Sequence, residues 1–160
     1  MTQIGFYHLT STTLESALPT LLLKSLERRW RVVVQAADRD RLAELDTHLW
    51  THSQAGFLPH GSSVGSDGHP DPNSERQPVW LTTEDDNPNR ATVRFFVAGA
   101  FPDHETDFQA YERLVLMFNG QEQQEVEAAR TCWRALKSSD GELIYWKQTP
   151  SGTWEKAGDT

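Results

Sequence analysis

Apolar residues change their spacing along the first half of the chain, which predicts strands followed by helices. Short apolar runs at residues 3–9 (QIGFYHL) and 31–36 (RVVVQA) fit strands. The β-branched core of the second run is typical of a strand buried on both faces of a parallel sheet. Apolar positions then recur at helical spacing after each run. The predicted helix faces are Leu14, Ala17, Leu18, Leu21 and Leu22 for the first helix, and Leu42, Leu45 and Leu49 for the second.

Polar residues mark where these two helices are expected to begin. Thr12 and Glu15 have the spacing of a capping box, in which each side chain accepts a hydrogen bond from a free backbone N–H group. Asp38 stands in front of the second helix and is expected to cap it. Pro19 falls inside the first helical pattern, so a kink or a later start of that helix is expected.

The second half of the chain begins with a composition break. Residues 55–77 are rich in Gly, Pro, Ser and Asp, which predicts a long loop with a mobile section at 65–76. Apolar runs then alternate with polar turns. The predicted strands are 78–83, 91–97 and 111–118, with a terminal hairpin of 142–148 and 153–156; the predicted helices are a short one at 103–110 and a long one at 119–137.

Strands that alternate with helices predict right-handed crossovers and therefore an α/β fold. We expect three layers around a mostly parallel sheet. The length of 160 residues suits one domain with a sizeable core. No boundary or repeat interrupts residues 1–160, and a long polar loop is expected at about 61–77.

The long helix predicted at 119–137 carries apolar and basic side chains on adjoining stripes, taking about 100° per residue. The apolar stripe contains Val126, Ala129, Cys132, Trp133 and Leu136, and the basic stripe contains Arg130, Arg134 and Lys137. The basic stripe stands out because the formal net charge of the chain is -8. Two interpretations are open: solvated charges that favour the end of a helix, or a site for an anion or an acidic peptide.

Composition excludes several classes of protein. An acidic chain does not fit a general nucleic-acid coat, so we expect the chain alone to bind single-stranded DNA weakly or not at all. A single cysteine excludes an internal disulfide framework and a multi-cysteine metal site. No apolar run reaches the roughly 18 residues of a membrane span, and the first residues do not resemble a signal peptide. The expected location is the cytoplasm, without membrane association.

The sequence contains no recognisable nucleotide or catalytic motif. The turn after the first predicted strand, residues 8–12, has none of the glycines that bring a backbone close to a pyrophosphate. There is also no phosphate-loop motif and no nucleophile elbow. Cys132 lies on an apolar stripe and is interpreted as a core residue. We therefore expect no enzymatic activity and no cofactor.

Histidines give no metal site in this interpretation. His48 and His52 are four residues apart, and His60 follows in the loop. A zinc site needs three or four ligands in tight geometry, and the second histidine falls beyond the predicted helix. We interpret these side chains as surface or loop residues, with His60 fixing the loop by a hydrogen bond.

Two aromatic residues are candidates for a contact surface. Trp50 lies roughly 100° from the core stripe of its helix, and Phe57 follows in the loop. The pair either covers the core or forms a hydrophobic docking patch for another chain.

An ordered set of short motifs runs along nearly the whole chain. It consists of FYHL, RVVV, LDTHLW, GFLPHG, PVWL, AARTCWR, YWKQ and TWEK. In this order and spacing, the set resembles the chi subunit of the bacterial DNA polymerase III holoenzyme. One departure is a polar insertion at about 66–75, which affects only a loop.

The resemblance implies a mononucleotide-binding-like (Rossmann-like) α/β fold without a nucleotide site or nucleotide activity. It also implies two protein partners. One is the psi subunit of the clamp-loader assembly. The other is the acidic C-terminal tail of single-stranded-DNA-binding protein (SSB), which ends in a hydrophobic residue with a free carboxylate. DNA is then reached only indirectly. By motif position, the tail would contact Arg130 through its carboxylate, Trp133 as an apolar wall, Arg134 and Lys137 through its acidic residues, and Phe118 and Asn119 as the opposite wall.

The psi contact carries over to Trp50 and Phe57, which match the family's LW and GF positions. Two classes of function remain after the sequence analysis. The first is a non-catalytic binding module of the replication machinery. The second is a small nucleotide-dependent enzyme on the same Rossmann-like fold, against which the glycine-free first turn argues.

Overall fold

Strands and helices alternate in the folded chain, as the sequence predicts. A computed structural model describes residues 2–51, 58–65, 68–103, 105–137 and 141–157. Its elements in chain order are β1 (Gln3–Leu9), α1 (Leu14–Glu27), β2 (Val32–Gln35), α2 (Arg39–Thr51), β3 (Gly61–Ser62), β4 (Val79–Thr82), β5 (Val93–Phe96), β6 (Arg113–Asn119), α3 (Gln123–Leu136), β7 (Glu142–Gln148) and β8 (Trp154–Ala157). Two short 3₁₀ helices span Ser74–Arg76 and Phe108–Ala110.

All eight strands form one sheet in the order β3-β4-β2-β5-β6-β1-β7-β8. Neighbouring strands are parallel except for the terminal pair β7 and β8, which is antiparallel. The predicted α/β fold with a mostly parallel sheet is therefore confirmed, and so is the terminal hairpin.

The sheet separates two apolar cores, which gives the molecule three layers. On one face, α1 and α2 pack on residues such as Val34 and Val115. On the other face, α3 packs on Phe6 and Leu116. Successive residues of β1 and β6 alternate between the two cores, as side chains of a strand do. The predicted faces of both N-terminal helices contribute to the first core, and Leu18, Leu22, Leu42, Leu45 and Leu49 are buried in it.

The predicted caps have different outcomes. Asp38 does cap α2, because its Oδ1 accepts a hydrogen bond from the N–H of Arg41 at 2.8 Å. The prediction for α1 was wrong by one residue: Thr13 is the cap and accepts from the N–H of Ser16. The hydroxyl of Thr12 instead accepts a hydrogen bond from Gln148. The first helix also does not start late, since Pro19 lies buried inside it.

The predicted long loop contains more structure than its composition suggests. The two-residue strand β3 pairs with β4, and Asp71 holds the next turn, because its Oδ2 accepts from the N–H of Ser62 at 2.9 Å. Among the described residues of the short helix predicted at 103–110, only 108–110 are helical, as a single 3₁₀ turn. Such short segments carry no periodic pattern, so the sequence does not predict them.

Candidate functional site

Helix α3 packs on the sheet through the apolar stripe predicted from the sequence. Ala129, Trp133 and Leu136 are buried, and Val126 and Cys132 are partly buried against the same core. The burial of Cys132 raises the pKa of its thiol to about 11, as expected for a core cysteine. The basic stripe therefore runs along the edge where α3 meets the sheet.

The indole of Trp133 anchors α3 between two neighbouring strands. Its ring lies edge-on to Phe6 of β1 at 5.1 Å between centroids, and edge-on to Tyr145 of β7 at 5.8 Å. Its Nε1 is buried without a hydrogen-bond partner among the described residues. A buried, unsatisfied donor costs about 1–3 kcal/mol, which the packing of the ring on Phe6 and Tyr145 must offset.

A cavity of about 380 Å³ lies beside this indole, between α3 and the strands β1, β6 and β7. Five of the six side chains predicted for the peptide site line it: Phe118, Arg130, Trp133, Arg134 and Lys137. The structure thus brings together aromatic side chains from β6 and α3 and three cations from α3 and its end. The volume lies in the range of about 300–1,000 Å³ that is usual for ligand sites.

The three cations of the cavity are exposed, and in the described part of the chain none of them forms an ion pair with a carboxylate. The helix dipole acts only within the last turn, which accounts for Arg134 and Lys137. Arg130 lies six residues before the end of α3 at Leu136. The dipole therefore does not explain this arginine, which lies one helical turn before Trp133 and lines the same cavity.

His8 and Tyr145 complete the cavity and were missed from the sequence. His8 Nδ1 and the Tyr145 hydroxyl are hydrogen-bonded at 2.7 Å, and the imidazole stacks on Phe118 at 4.8 Å. Burial, together with Lys147 and Arg130, lowers the pKa of His8, so it is neutral at pH 7. Burial also raises the pKa of Tyr145, which stays a phenol. His8 and Tyr145 thus form a polar but uncharged wall of the cavity. The pairing of β1 with β6 and β7 brings them to it.

Asn119, the sixth residue predicted for the peptide site, does not line this cavity. Its side chain lines a different cavity of about 360 Å³ near the start of α1. Its Oδ1 accepts from the N–H of Gln121 at 2.9 Å, and its own N–H donates to Glu125 at 3.2 Å. Consecutive side chains of a strand point to opposite faces, so Phe118 and Asn119 cannot both face α3. Asn119 instead shapes the turn between β6 and α3.

The first strand-to-helix turn, where Rossmann-like proteins place a phosphate, is filled by the chain itself. The Oε1 atom of Gln148 accepts hydrogen bonds from the N–H groups of Thr10, Ser11 and Thr12 at 3.2, 3.0 and 3.0 Å. Gln148 is only 5% exposed. These N–H groups would otherwise be free to bind an anion. The arrangement argues against nucleotide binding at this turn.

Trp50, one half of the predicted psi patch, is at the surface. Its side chain is 51% exposed, so it is not a core residue. Its ring lies 4.2 Å from that of His60, which is buried and hydrogen-bonded to Leu58 O at 2.8 Å and Asp46 Oδ1 at 3.0 Å. His60 thus fixes the loop, as predicted. Phe57 and His52 lie outside the described residues.

The described residues contain neither a metal-binding cluster nor a membrane-spanning helix. No group of three or more His, Cys, Asp or Glu side chains in this part of the chain is arranged to hold a metal ion. Among the same residues, no helix has the length and apolar composition needed to cross a membrane.

The fold and its sites define a Rossmann-like α/β protein. The N–H groups of its first strand-to-helix turn are bound by Gln148, and an open cavity lined by cations lies under α3. The profile of the family described as DNA polymerase III chi subunit, HolC, matches residues 1–143. The chain therefore belongs to the chi subunit family of DNA polymerase III. "Probable DNA polymerase III subunit chi" of Rickettsia prowazekii (strain Madrid E) is 24% identical over 160 residues, which cover 98% of this chain and 92% of that protein.

Proposed function

We propose that this chain is a non-catalytic, cytoplasmic accessory subunit of the DNA polymerase III holoenzyme. In this proposal it links the clamp loader, through the psi subunit, to the C-terminal tail of SSB during DNA replication. The observation that carries the proposal is the cavity under α3, where an exposed arginine without an ion pair among the described residues lies beside an aromatic wall.

Each part of a hydrophobic-ended acidic tail has a complementary group in this cavity. The Arg130 guanidinium has the planar fork that binds a carboxylate through two parallel hydrogen bonds, which suits a free C-terminus. The last side chain of the tail would pack on Trp133 and Phe118, which line the same cavity. Arg134 and Lys137 continue along the helix and would attract the acidic residues further upstream in the tail.

The second partner, psi, would dock elsewhere on the surface. Trp50 is the only large apolar side chain among the described residues that is markedly exposed, and exposed tryptophans are common anchors of protein interfaces. Its ring is held on His60, which is itself fixed by Asp46. A rigid aromatic anchor loses little entropy on binding, which supports a docking role for this residue and for Phe57.

A calorimetric titration with a synthetic acidic peptide that ends in a hydrophobic residue tests the proposed tail site. Arg130→Ala should weaken binding about tenfold to a hundredfold, because a charge-assisted hydrogen bond contributes roughly 1.5–3 kcal/mol. Arg134→Ala and Lys137→Ala should have smaller effects that fade as salt rises.

Arg39→Ala is the matched control, because it removes an exposed arginine from another helix, α2. It should leave the affinity nearly unchanged. Equal losses for Arg39→Ala and Arg130→Ala would mean that the peptide responds only to net charge, and the site would have to be placed elsewhere.

A further inference from the structure

A further cavity, of about 310 Å³, lies on the face of the sheet opposite to α3, beneath the C-terminal half of α1. Three cations line it: Lys24 and Arg28 from α1 and its end, and Arg113 from β6. No Asp or Glu side chain lines it in the part of the chain that the structure describes. In a chain of net charge -8, this is a local concentration of positive charge.

Neighbouring strands at this end of the sheet present aromatic side chains to the same cavity. Tyr7 of β1 and Trp146 of β7 are paired in register, and their rings are stacked 6.1 Å apart with an interplanar angle of 19°. Trp154 of β8 meets Tyr7 edge-on at 5.0 Å. All three rings are partly exposed. They form an aromatic platform on an open part of the sheet.

Trp30 closes the other side of the cavity and brings two of the cations together. The guanidinium carbons of Arg28 and Arg113 lie 5.0 and 4.8 Å from the centroid of its ring. The N–H of Trp30 donates to Ser25 O at 3.0 Å, and Arg29 before it adopts a left-handed φ of 61°. This is a Schellman ending of α1, and it fixes Arg28 and Trp30 against the sheet.

The dipole of α1 accounts for only part of this arrangement. Cations are favoured in the last turn of a helix, which explains Lys24 and Arg28. Arg113 comes from a strand, and the aromatic platform comes from three other strands. A helix dipole gives no reason for these residues to line the same cavity.

We propose that this cavity and the platform beside it bind single-stranded nucleic acid directly. A base would stack on the exposed rings, and the adjacent phosphates would lie against the three cations. Stacking aromatics combined with a positively charged groove are the features that sequence-independent single-strand binders share. An acidic peptide would use the cations but not the faces of several rings, so the observations favour a nucleic-acid strand.

The cavity is extended by a neighbouring one, and such an extended surface favours a strand over a free nucleotide. A smaller cavity of about 160 Å³ adjoins it and shares Tyr7, Arg113 and Trp146. The acidic balance of the whole chain should keep this binding weak. A weak contact becomes effective once another interaction holds the protein beside the strand, since tethering raises the effective concentration. The inference goes beyond the proposed function, in which DNA is reached only through a partner protein.

Fluorescence anisotropy with a labelled oligothymidylate of about ten nucleotides tests the proposal, using the full chain at low salt. We expect weak, saturable binding with quenching of tryptophan emission. The logarithm of the association constant should fall with the logarithm of salt with a slope of about -2, because each neutralised phosphate of a single strand contributes about -0.7.

Two charge-matched double variants locate the binding face. Lys24→Gln/Arg28→Gln should weaken oligonucleotide binding about tenfold or more at low salt and leave the acidic peptide of the tail site unaffected. Arg130→Gln/Arg134→Gln should do the reverse. All four side chains are exposed, so both variants should fold. This design separates failure of the present inference from failure of the proposed tail site.

Several results would overturn the inference. They are the absence of saturable binding, equal losses in both double variants, and binding of thymidine monophosphate as tight as that of the oligonucleotide. The inference would also fail if Lys24→Gln/Arg28→Gln lost binding to polyglutamate but kept binding to the oligonucleotide. That result would identify the cavity as a site for an acidic protein segment.

Discussion

Arg94 is the largest fully buried side chain among the described residues, and it forms no ion pair with a described carboxylate. Its guanidinium donates to Gln35 Oε1 at 3.1 and 2.6 Å, to the Tyr111 hydroxyl at 3.1 Å, and to backbone carbonyls of the 84–86 turn. Neutral acceptors therefore replace the water that a buried charge loses. The Arg94 side chain thereby links the central strand β5 to the turn at residues 84–86.

Replacing Arg94 should destabilise the fold more than any exposed arginine does. Arg94→Met removes the donors and leaves several buried acceptors unsatisfied, each at about 1–3 kcal/mol. We expect the free energy of unfolding in urea to fall by about 3 kcal/mol or more. Arg39→Met, at an exposed position of α2, should change it by less than about 0.5 kcal/mol. Similar values for the two variants would show that the buried network contributes little.

At the scale of elements, α2 carries the proposed psi anchor on a helix that is otherwise held by its buried leucines. Trp50→Ala should weaken a heterodimer with psi about thirtyfold, since truncating an interface anchor costs about 2 kcal/mol or more. Fold integrity should be retained because Leu42, Leu45 and Leu49 carry the packing of this helix. The measurement is a titration of psi against both proteins after their thermal stabilities have been compared.

Glu44→Ala provides the control for this prediction, because it truncates another exposed residue of α2. It should bind psi normally. Normal binding by Trp50→Ala as well would mean that the docking patch lies on another surface.

The elements also show which features the sequence could predict. Both β1 and α3 were assigned correctly, because β1 is an apolar run that packs on both cores and the apolar residues of α3 repeat at helical spacing. Phe118, Arg130 and Trp133 line one cavity, as the helical spacing and the end of β6 suggested. His8 and Tyr145 were missed because they reach the cavity through the pairing of β1 with β6 and β7. Strand order is a property of the whole sheet and leaves no local pattern.

Local competition between hydrogen bonds explains the remaining differences. Thr12 has the spacing of a cap, but Gln148 lies 136 residues further along the chain and bonds to it. Asn119 follows Phe118, but the alternation of a strand turns it to another cavity. In both cases the tertiary structure decides the outcome: a distant residue bonds to Thr12, and the strand direction turns Asn119 away from α3.

At the scale of the whole molecule, the sheet separates two sites with different chemistry. The cavity under α3 belongs to the core that contains Phe6 and Trp133, and the groove under α1 belongs to the core that contains Val115. A chain of net charge -8 repels acidic ligands over most of its surface. Binding of either ligand depends on local cations, so it should weaken as salt screens these contacts. Charge-matched variants on the two faces are needed to separate specific contacts from the general field.

The central claim is that Arg130 contacts the terminal carboxylate of an acidic peptide, and a double-mutant cycle tests it most directly. The affinities of the wild-type protein and of Arg130→Ala are measured for the peptide with a free and with an amidated C-terminus. Each single change should cost about tenfold to a hundredfold, and the second change should add little once the first is made. Such non-additivity identifies a direct contact. Fully additive losses would show that Arg130 meets another group and would contradict the account.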